Sequence, residues 1–477
     1  MRKPENRDAN DDFVQFGGSA IRKALSGAVY ELEVPVPAID PAIDFTEKYA
    51  AEIWAGRARA TWRYDHGIGK WFEFVGTHWK KDGVRGAFHT IAELSKAGGR
   101  TKKGSPGTTG RAGFVRGVEA FAQADPRIAV EHDVWNCDPF ALGTPGGTVD
   151  LRTGKVAPSI PAQMISQITA VAPEPGEPTR WLQFLDEATG QDPEMIRYLQ
   201  QVLGYTLTGD TREHALFFIY GAGKNGKSVF LNTAARILGD YSTTATMDTF
   251  AQSRGDRHTT ELARLDGARM VSASETEEGR AWAEARIKQL TGGDRIAARF
   301  MRQDNFEFTP RFKLIIVGNH QPALHNVDPA TRRRFHIVPF TNTPPRPDLE
   351  LERRLEAEHG RILSWMIEGC LDWQRNGLIR PAAVIAATDE YFEAQDMLGQ
   401  WIAEACTTSE RKWETPASLF RSWSDFARAN GEEASTAKAF GTTLEKRGFL
   451  RGKTNGIRIH RGISVKPAAD HRDGRDG

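Results

Sequence analysis

The feature that most constrains this chain is a glycine-rich segment that lies between an apolar run and the start of a helical pattern. Residues 215–231 read ALFFIYGAGKNGKSVFL, and residues 221–228 fit the pattern G-x-x-x-x-G-K-[ST]. Glycine lets the backbone turn with positive φ and bring successive N–H groups around a phosphate, where a side chain would clash. The following helix points its positive end at the same place. This strand, loop and helix predict a nucleoside triphosphate site.

The loop supplies the groups that a triphosphate and its metal ion need. Lys227 is expected to reach the β- and γ-phosphates, and the Ser228 hydroxyl to take one position around Mg²⁺. The alternative is a glycine-rich turn that binds nothing, but such turns need neither the strand before them nor the Gly-Lys-Ser at their end. The predicted nucleotide-binding residues are those of the whole loop: Gly221, Ala222, Gly223, Lys224, Asn225, Gly226, Lys227 and Ser228.

Length, charge and cysteine content limit the classes of protein that this chain can belong to. Its 477 residues exceed one ordinary core, so we expect roughly two to four domains. A formal net charge of +1 requires that any contact with nucleic acid come from local basic patches. Three widely spaced cysteines without a C-x-x-C pair argue against a zinc ribbon and favour a reducing, cytoplasmic setting. Since no apolar run reaches membrane-spanning length, no membrane partner is expected.

Acidic and amide side chains follow two later apolar runs. In ARMVSASETEE, Glu275 ends a strand-like run and Glu277 lies just beyond it; FKLIIVGNHQP is a buried strand pattern that ends at Asn319. In a parallel sheet these ends meet at one edge, so Glu275 could hold Mg²⁺ or orient the attacking water. Asn319 could contact the γ-phosphate or its water. The alternative is that the strand is followed by a helix and that Glu275 is only a favourable negative charge at the start of that helix.

Two arginine-rich segments complete the pattern. In IKQLTGGDRIAARFMRQDNFEF a helix is predicted to end at Lys288 and a hairpin to follow, with Arg295, Arg299 and Arg302 on its first arm and turn. Such a hairpin could grip a nucleic-acid backbone, or it could be a solvated face. In DPATRRRFHIVPF three arginines precede a strand, at 332–334. One could stabilise transition-state charge in a neighbouring subunit, and a surface ion-pair cluster is the alternative.

The N-terminal and C-terminal parts carry weaker patterns. The aromatic residues of segment 62–79 are expected to form the core of a small α+β domain, with base-stacking platforms as the alternative. Residues 398–465 contain three helical patterns and two strand-like runs that meet at Asn455-Gly456, a type I′ turn signal. This pattern is typical of a winged-helix module. Residues 441–466 hold seven basic residues against one acidic residue, which predicts a local surface for phosphates.

The ordered series GAGKNGKS, ASETEE, KQLTGGDRIAARF, KLIIVGNHQP and RRRFHIVPF resembles the superfamily 3 helicases. It is more closely similar to the C-terminal half of satellite-phage and plasmid primase-helicases, which are related to the poxvirus replication NTPase. The resemblance covers roughly residues 130–345 well. It implies a hexameric ring with an AAA+-like α/β core, nucleotide between subunits, and a DNA strand in the central channel.

The resemblance also implies a role for individual residues. Residues 221–228 match the phosphate-binding motif, Glu275 the acidic motif, and Asn319 the γ-phosphate sensor. Lys288 and the hairpin that follows it match the DNA-gripping motif. The arginine finger would be Arg334 or Arg333, with Arg334 preferred. The N-terminal primase domain of full-length relatives is not expected here, because about 210 residues precede the loop and they contain no convincing Asp-x-Asp pair.

The predicted fold class is α/β, an AAA+-like P-loop NTPase core with an N-terminal α+β domain and a C-terminal winged-helix domain. Proline-rich segments at 172–179 and 343–354 are the expected junctions. The predicted parts are a flexible tail (1–28), the α+β domain (29–175), the ATPase domain (176–345), a helical connector (346–397), the winged helix (398–465) and a tail (466–477).

The predicted function is that of an ATP-dependent DNA helicase or translocase of phage, prophage or plasmid replication, in the bacterial cytoplasm. Its predicted cofactors are ATP and Mg²⁺, and its partners are DNA, further copies of itself and a separate primase. The first alternative is an origin-binding or helicase-loading ATPase that does not unwind DNA. The second is a P-loop kinase, against which the basic hairpin and the arginines argue.

Overall fold

The N-terminal part of the chain is a four-stranded sheet with three helices. The computed structural model describes residues 38–98, 109–252, 260–275, 281–299, 305–324, 328–344, 348–430 and 434–466. These residues form two compact units that divide between Val134 and Trp135, with the short segment Gly76–His78 grouped with the second. The elements of the first unit are α1 (Glu47–Ala58), β1 (Trp62–Asp65), β2 (Lys70–Phe74), β3 (Trp79–Lys81), α2 (Gly86–Ala97), α3 (Ala112–Gln123) and β4 (Ala129–Val130).

The first unit confirms the predicted aromatic core. The sheet order is β3-β2-β1-β4, in which β1 pairs antiparallel with β2 and parallel with β4. The side chains of Trp62, Trp71 and Trp79 are at most 7% exposed. Trp62 and Trp71 belong to the core shared by sheet and helices, and Trp79 packs against Phe74, so none of the three rings is available to stack on bases.

The second unit contains a five-stranded parallel sheet. Its elements, in chain order, are β5 (Ala141–Thr144), β6 (Gly147–Asp150), β7 (Lys155–Ala157), α4 (Thr179–Thr189), α5 (Pro193–Thr206), β8 (Leu216–Tyr220), α6 (Lys227–Leu238), β9 (Ser242–Thr244), α7 (Thr260–Ala263), β10 (Met270–Glu275), α8 (Glu284–Gly292), β11 (Ile296–Ala298), β12 (Phe306–Phe308), β13 (Lys313–Gly318), α9 (Pro329–Arg332), β14 (Phe335–Pro339), α10 (Leu351–Glu356), α11 (His359–Asn376) and α12 (Ala382–Gln395). The sheet order is β14-β8-β13-β10-β9, and every neighbouring pair is parallel. The predicted parallel α/β sheet is thus confirmed.

Both faces of the parallel sheet are covered, which explains why its strands read as unbroken apolar runs. In β8, Phe217 and Ile219 point into one hydrophobic core together with α5, α6 and α11. Leu216 and Phe218 alternate with them and point into a second core on the opposite face. A strand that alternates between two apolar layers has no solvent-facing side. The loop after β8 therefore follows a strand that is buried on both faces.

Residues 135–175, which lie before the first predicted junction, belong with the parallel sheet. The antiparallel sheet β5-β6-β7 lies in the second unit, although the sequence places residues up to 175 in the first domain. Tyr241 accepts a hydrogen bond at Oη from the N–H of Gly143 at 2.9 Å and donates one to the carbonyl of Gln167 at 3.0 Å. The Arg269 guanidinium donates to the carbonyl of Ala141 at 2.6 Å. These tertiary contacts move the division of the units to residue 134.

The C-terminal part is three helices and a three-stranded sheet. Its elements are α13 (Met397–Ala405), β15 (Cys406–Glu414), α14 (Pro416–Ala429), α15 (Ala437–Lys446), β16 (Arg451–Thr454) and β17 (Ile457–Val465). The sheet order is β15-β17-β16. Asn455 and Gly456 have φ of 47° and 80°, which confirms the predicted type I′ turn. Strand β15 was not predicted. Among the described residues, no helix has both the length and the apolar character needed to cross a membrane.

Candidate functional site

The glycine-rich loop lies at the carboxyl edge of the parallel sheet. It joins β8 to α6, and Tyr220, the last residue of β8, is in register with Gly318 of β13 and Pro339 of β14. The strand that follows α6 is β9 at one end of the sheet, whereas β14 lies on the other side of β8. The chain therefore leaves β8 toward one side and returns on the other. In open parallel sheets, the crevice at such a point is where ligands bind.

Two glycines of the loop are required by its close contacts. A Cβ at Gly221 would lie 2.0 Å from the carbonyl oxygen of Phe340, and a Cβ at Gly226 would lie 2.5 Å from the ring of Phe184. Gly226 also has a φ of +84°. Gly223 differs from both, because its φ of +99° favours glycine while no atom lies within 4 Å of an added Cβ. The loop is thus packed at both ends and open in the middle, where a phosphate would approach.

Lys227 is held inside the loop. Its side chain is 6% exposed, and its Nζ donates to the carbonyl of Gly221 at 2.7 Å and to Oδ1 of Asn225 at 2.8 Å. Burial lowers the pKa of Lys227 from its ordinary value. Among the residues that the structure describes, no carboxylate forms an ion pair with Lys227, so its ammonium group can exchange its two neutral acceptors for phosphate oxygens.

Asn225 is the residue whose role the sequence did not reveal. Its side chain is 2% exposed, and its amide bridges the site: Nδ2 donates to the carbonyl of Phe340 after β14, while Oδ1 accepts from Lys227. The pattern G-x-x-x-x-G-K-[ST] leaves this position unspecified. The only signal in the sequence was that position 225 is a polar residue two positions before the lysine.

The start of α6 offers unpartnered N–H groups. Gly226 takes the N-cap position and makes no side-chain cap, and Ser228 is exposed in the first turn. The first four N–H groups of a helix have no partner within it, and they favour an anion. Ser228 therefore lies in the first turn of a helix end that favours an anion, and its role as a Mg²⁺ ligand remains a prediction.

The predicted acidic residue and the predicted sensor lie along the same edge. Glu275 ends β10 in backbone register with Gly318, and Gly318 is in register with Tyr220. Asn319 follows directly and is exposed. Three strand ends thus bring residues 221–228, the backbone of Glu275 and Asn319 to one side of the sheet. Glu277 lies outside the described residues.

The predicted DNA-gripping residues are spread over two elements. Strands β11 and β12 form an antiparallel hairpin, with Arg295 before it and Arg299 after its first arm; both are exposed. The guanidinium of Arg295 lies 3.8 Å from the carboxylate of Glu307. Arg302 lies outside the described residues. The structure does not place Lys288 on the hairpin.

Helix α8 corrects the predicted helix end. It continues past Lys288 to Gly292, and Gly293 ends it with a left-handed φ of +80°. Lys288 therefore lies within the helix, where its ammonium group forms an ion pair with Asp328. The helix was expected to end at Lys288 and the chain to break at Gly292 and Gly293. The break is at these glycines, and the helix continues up to them.

The three arginines before β14 have different surroundings. Arg332 pairs with Asp389 at 2.6 Å, and Arg333 is exposed. Arg334 is half-buried, and its Nη1 donates to the carbonyl of Ala330 at 2.8 Å. Burial, with a smaller effect from the neighbouring Arg333, lowers the pKa of Arg334. Among the described residues, Arg332 therefore has a carboxylate partner, whereas Arg333 and Arg334 have none.

Two known families match this chain. The family described as "D5 N terminal like" matches residues 51–190, and a family of unknown function matches residues 219–334. The second match begins in β8 and ends at Arg334. It therefore contains the loop, the acidic strand end, Asn319 and the arginines.

Several viral proteins are similar to this chain. A protein of Acanthamoeba polyphaga mimivirus with the provisional name of helicase is 23% identical over 320 residues, which are 61% of this chain and 33% of that one. Frog virus 3 (isolate Goorha) has a protein with a similar name, 24% identical over 57% of this chain and 29% of its own. A protein of African swine fever virus, provisionally named a primase, is 23% identical over 57% of this chain and 31% of its own. The chain thus spans about a third of the length of these relatives.

A solved structure shares the fold. The apo structure of the NrS-1 C-terminal region superimposes with a TM-score of 0.51 at 10% sequence identity, covering 88% of this chain and 99% of that one. At this identity the likeness shows the fold alone. Taken together, the D5 N-terminal-like match and the relatives named as helicases and a primase, each over part of the chain, support the resemblance to phage-type primase-helicases.

Proposed function

We propose that this chain is an ATP-dependent DNA helicase or translocase of phage, prophage or plasmid replication. The observation that carries the proposal is the position of the loop 221–228. It lies at the carboxyl edge of an all-parallel sheet with Lys227 buried in it, and the ends of β10 and β13 lie along the same edge. Similarity to viral proteins named as helicases and a primase supports this assignment over that of a P-loop kinase.

The residues at the carboxyl edge of the sheet would have different roles in nucleotide binding and hydrolysis. Lys227 would leave the carbonyl of Gly221 and the amide of Asn225 to bind the β- and γ-phosphates, and the N-terminal N–H groups of α6 would hold phosphate oxygens. Ser228 and Glu275 would hold Mg²⁺, which when bound would neutralise negative charge on the phosphate oxygens. Asn319 would orient the attacking water. The chemistry is mainly positioning and electrostatic stabilisation.

The site is completed by a second copy of the chain. Arg334 or Arg333 of a neighbouring subunit would stabilise charge that develops on the γ-phosphate, which implies a ring, and a hexamer by family resemblance. A DNA strand in the ring would lie against Arg295, Arg299 and Arg302 of the β11–β12 hairpin, and Lys288 would support the hairpin from α8. The enzyme would act in the bacterial cytoplasm, beside a separate primase.

A second candidate is an origin-binding or helicase-loading ATPase. The arrangement of α13, α14 and α15 with the three-stranded sheet β15-β17-β16 favours a winged-helix domain that binds duplex DNA. In a loader that domain would find DNA, and ATP would only control assembly. Both candidates use the same nucleotide site, so they differ in whether hydrolysis separates strands.

ATPase rate and strand displacement distinguish these candidates. We expect single-stranded DNA to stimulate ATP hydrolysis and a forked duplex to be unwound, and Lys227→Ala to abolish both. Lys155→Ala, which removes an exposed lysine of β7, serves as the control and should leave both rates unchanged. Hydrolysis without unwinding would favour the loader. An unchanged ATPase rate in Lys227→Ala would overturn the nucleotide site itself.

A further inference from the structure

The connection between α11 and α12 places an arginine against the backbone of the proposed arginine finger. Arg380 is half-buried, and its Nη2 donates a hydrogen bond to the carbonyl of Arg333 at 3.0 Å. That carbonyl belongs to the peptide group that joins Arg333 to Arg334, the two residues proposed to act on the γ-phosphate of a neighbouring copy. The hydrogen bond therefore acts on the backbone that carries both candidate side chains.

The backbone beside Arg380 is itself fixed to α5 and α11. The N–H of Ile379 donates to Oε1 of Gln201 at 2.9 Å, and Gln201 is fully buried. Nε2 of Gln201 donates to the carboxylate of Asp372 at 2.8 Å. The same carboxylate accepts two hydrogen bonds of 2.8 Å from Arg197, the two-pronged geometry that restricts an arginine–carboxylate pair most strongly. Arg380 therefore extends from a segment that is held in place by two helices.

The arginines at the start of β14 lack carboxylates that would neutralise them. Among the described residues, no carboxylate forms an ion pair with Arg333, Arg334 or Arg380, and Nε of Arg334 is buried without a hydrogen-bond partner. Asp294 and Asp328 influence Arg334 only from a longer distance. A carboxylate in the position of Arg380 would capture the finger in an ion pair. An arginine instead holds the backbone through its N–H groups and leaves the neighbouring side chains able to meet a phosphate.

We propose that Arg380 is a positioning residue for the arginine finger. Through the carbonyl of Arg333 it holds residues 333–334 in the orientation from which one arginine side chain reaches the γ-phosphate of the next copy. The inference rests on the proposed function, and it adds a residue to the site that a second subunit completes. Position matters at such a site, because a displacement of about 1 Å in a group that stabilises the transition state can cost roughly a hundredfold in rate.

Single variants test whether Arg380 affects turnover and not binding. Arg380→Ala should lower the turnover number at saturating ATP about tenfold to a hundredfold, with the affinity for a non-hydrolysable ATP analogue and the particle mass of the assembled chain unchanged. Arg380→Lys keeps a donor and the charge, and should recover most of the rate. Arg375→Ala is the matched control, because it removes an exposed arginine whose Nε donates to the carbonyl of Leu371 in its own helix. It should hydrolyse ATP at the parent rate.

A double variant distinguishes positioning from direct action on the nucleotide. Arg380→Ala is combined with Arg333→Ala or Arg334→Ala, whichever is slow on its own. The combination should cause no further loss, because Arg380 then has no finger to position. If the two losses multiply, Arg380 acts by itself and the inference is wrong. It is also wrong if Arg380→Ala turns over at the parent rate, if its loss disappears at saturating ATP, or if the variant no longer assembles.

Failure of this inference differs from failure of the proposed function. Normal turnover in Arg380→Ala, together with a loss in Lys227→Ala and in one finger variant, would overturn the role of Arg380 and leave the proposed ATPase site intact. A parent chain that does not hydrolyse ATP, or that keeps full turnover in both Arg333→Ala and Arg334→Ala, would overturn the shared site and the positioning role with it.

Discussion

At the scale of single residues, Asn225 connects the glycine-rich loop to the residue that follows β14. Its Nδ2 donates to the carbonyl of Phe340, just beyond β14, and its Oδ1 holds the ammonium group of Lys227. The same carbonyl lies where a Cβ of Gly221 would be. One side chain therefore fixes the shape of the loop and the resting position of its lysine. No pattern of local sequence could show this, because Phe340 is more than a hundred residues away in the chain.

Replacing Asn225 should weaken nucleotide binding. In Asn225→Ala the loop loses its link to β14 through the Phe340 carbonyl, while the lost contact with Lys227 is one that nucleotide binding would break in any case. We expect the affinity for a non-hydrolysable ATP analogue to fall about tenfold, the equivalent of one buried hydrogen bond of about 1.4 kcal/mol. Isothermal titration calorimetry measures it. Asn376→Ala removes an exposed asparagine at the end of α11 and should bind as the parent chain does. Unchanged affinity in Asn225→Ala would mean that the loop holds its shape without the amide.

At the scale of elements, the accuracy of the sequence-based predictions follows from how local the signals are. The loop, β8 and β13 were predicted because an apolar run followed by a fixed glycine pattern specifies them without reference to other residues. Strand β15 was missed because it is an edge strand in which most residues, such as Arg411 and Lys412, are exposed and polar. The division at residue 134 was missed because it depends on tertiary contacts of Tyr241 and Arg269. The roles of Glu275, Asn319 and the arginines remain predictions.

Strand β14 also carries a buried histidine that links it to α5. His336 is 2% exposed, and its Nδ1 forms a hydrogen bond of 2.6 Å with Oη of Tyr198. Burial, with a smaller effect from Arg380, lowers the pKa of His336 from 6.5 to about 3. The unfolded chain therefore binds a proton below pH 6.5 that the folded chain does not bind. The stability contribution of the neutral ring is complete above that pH and is lost as the pH falls toward 3.

Acid should therefore destabilise the parent chain more than a variant without this histidine. Between pH 7.5 and 5.5 the proton linkage of His336 lowers the free energy of unfolding by about 1.4 kcal/mol. Urea unfolding of the parent chain and of His336→Gln at both pH values gives the difference. The variant should be less stable at pH 7.5, because it disturbs a packed site, but less sensitive to the change in pH. An equal loss in both chains would show that folding does not lower the pKa of His336.

At the scale of the whole molecule, the arginines before β14 cannot serve the loop of their own chain. Strand β14 runs parallel to β8, with Phe335 opposite Leu216 and Pro339 opposite Tyr220, so Arg334 lies at the amino edge and the loop at the carboxyl edge. At about 3.3 Å per residue, five residues of strand separate them by roughly 17 Å. An arginine side chain does not span that distance. If Arg334 or Arg333 acts on a γ-phosphate, the phosphate belongs to another copy of the chain, in a head-to-tail assembly.

Mixing two inactive variants tests this arrangement. Lys227→Ala removes the phosphate-binding lysine, and Arg334→Ala removes the proposed finger while the loop of that subunit stays intact. Each variant alone should hydrolyse ATP at a small fraction of the parent rate. In an equimolar ring assembled at random, about a quarter of the interfaces combine an intact loop with an intact arginine, because the two come from different subunits. ATPase activity should therefore recover to about that fraction on mixing. If Arg334→Ala alone keeps full activity, the same experiment with Arg333→Ala assigns the finger; if neither pair recovers on mixing, the site is not shared between subunits.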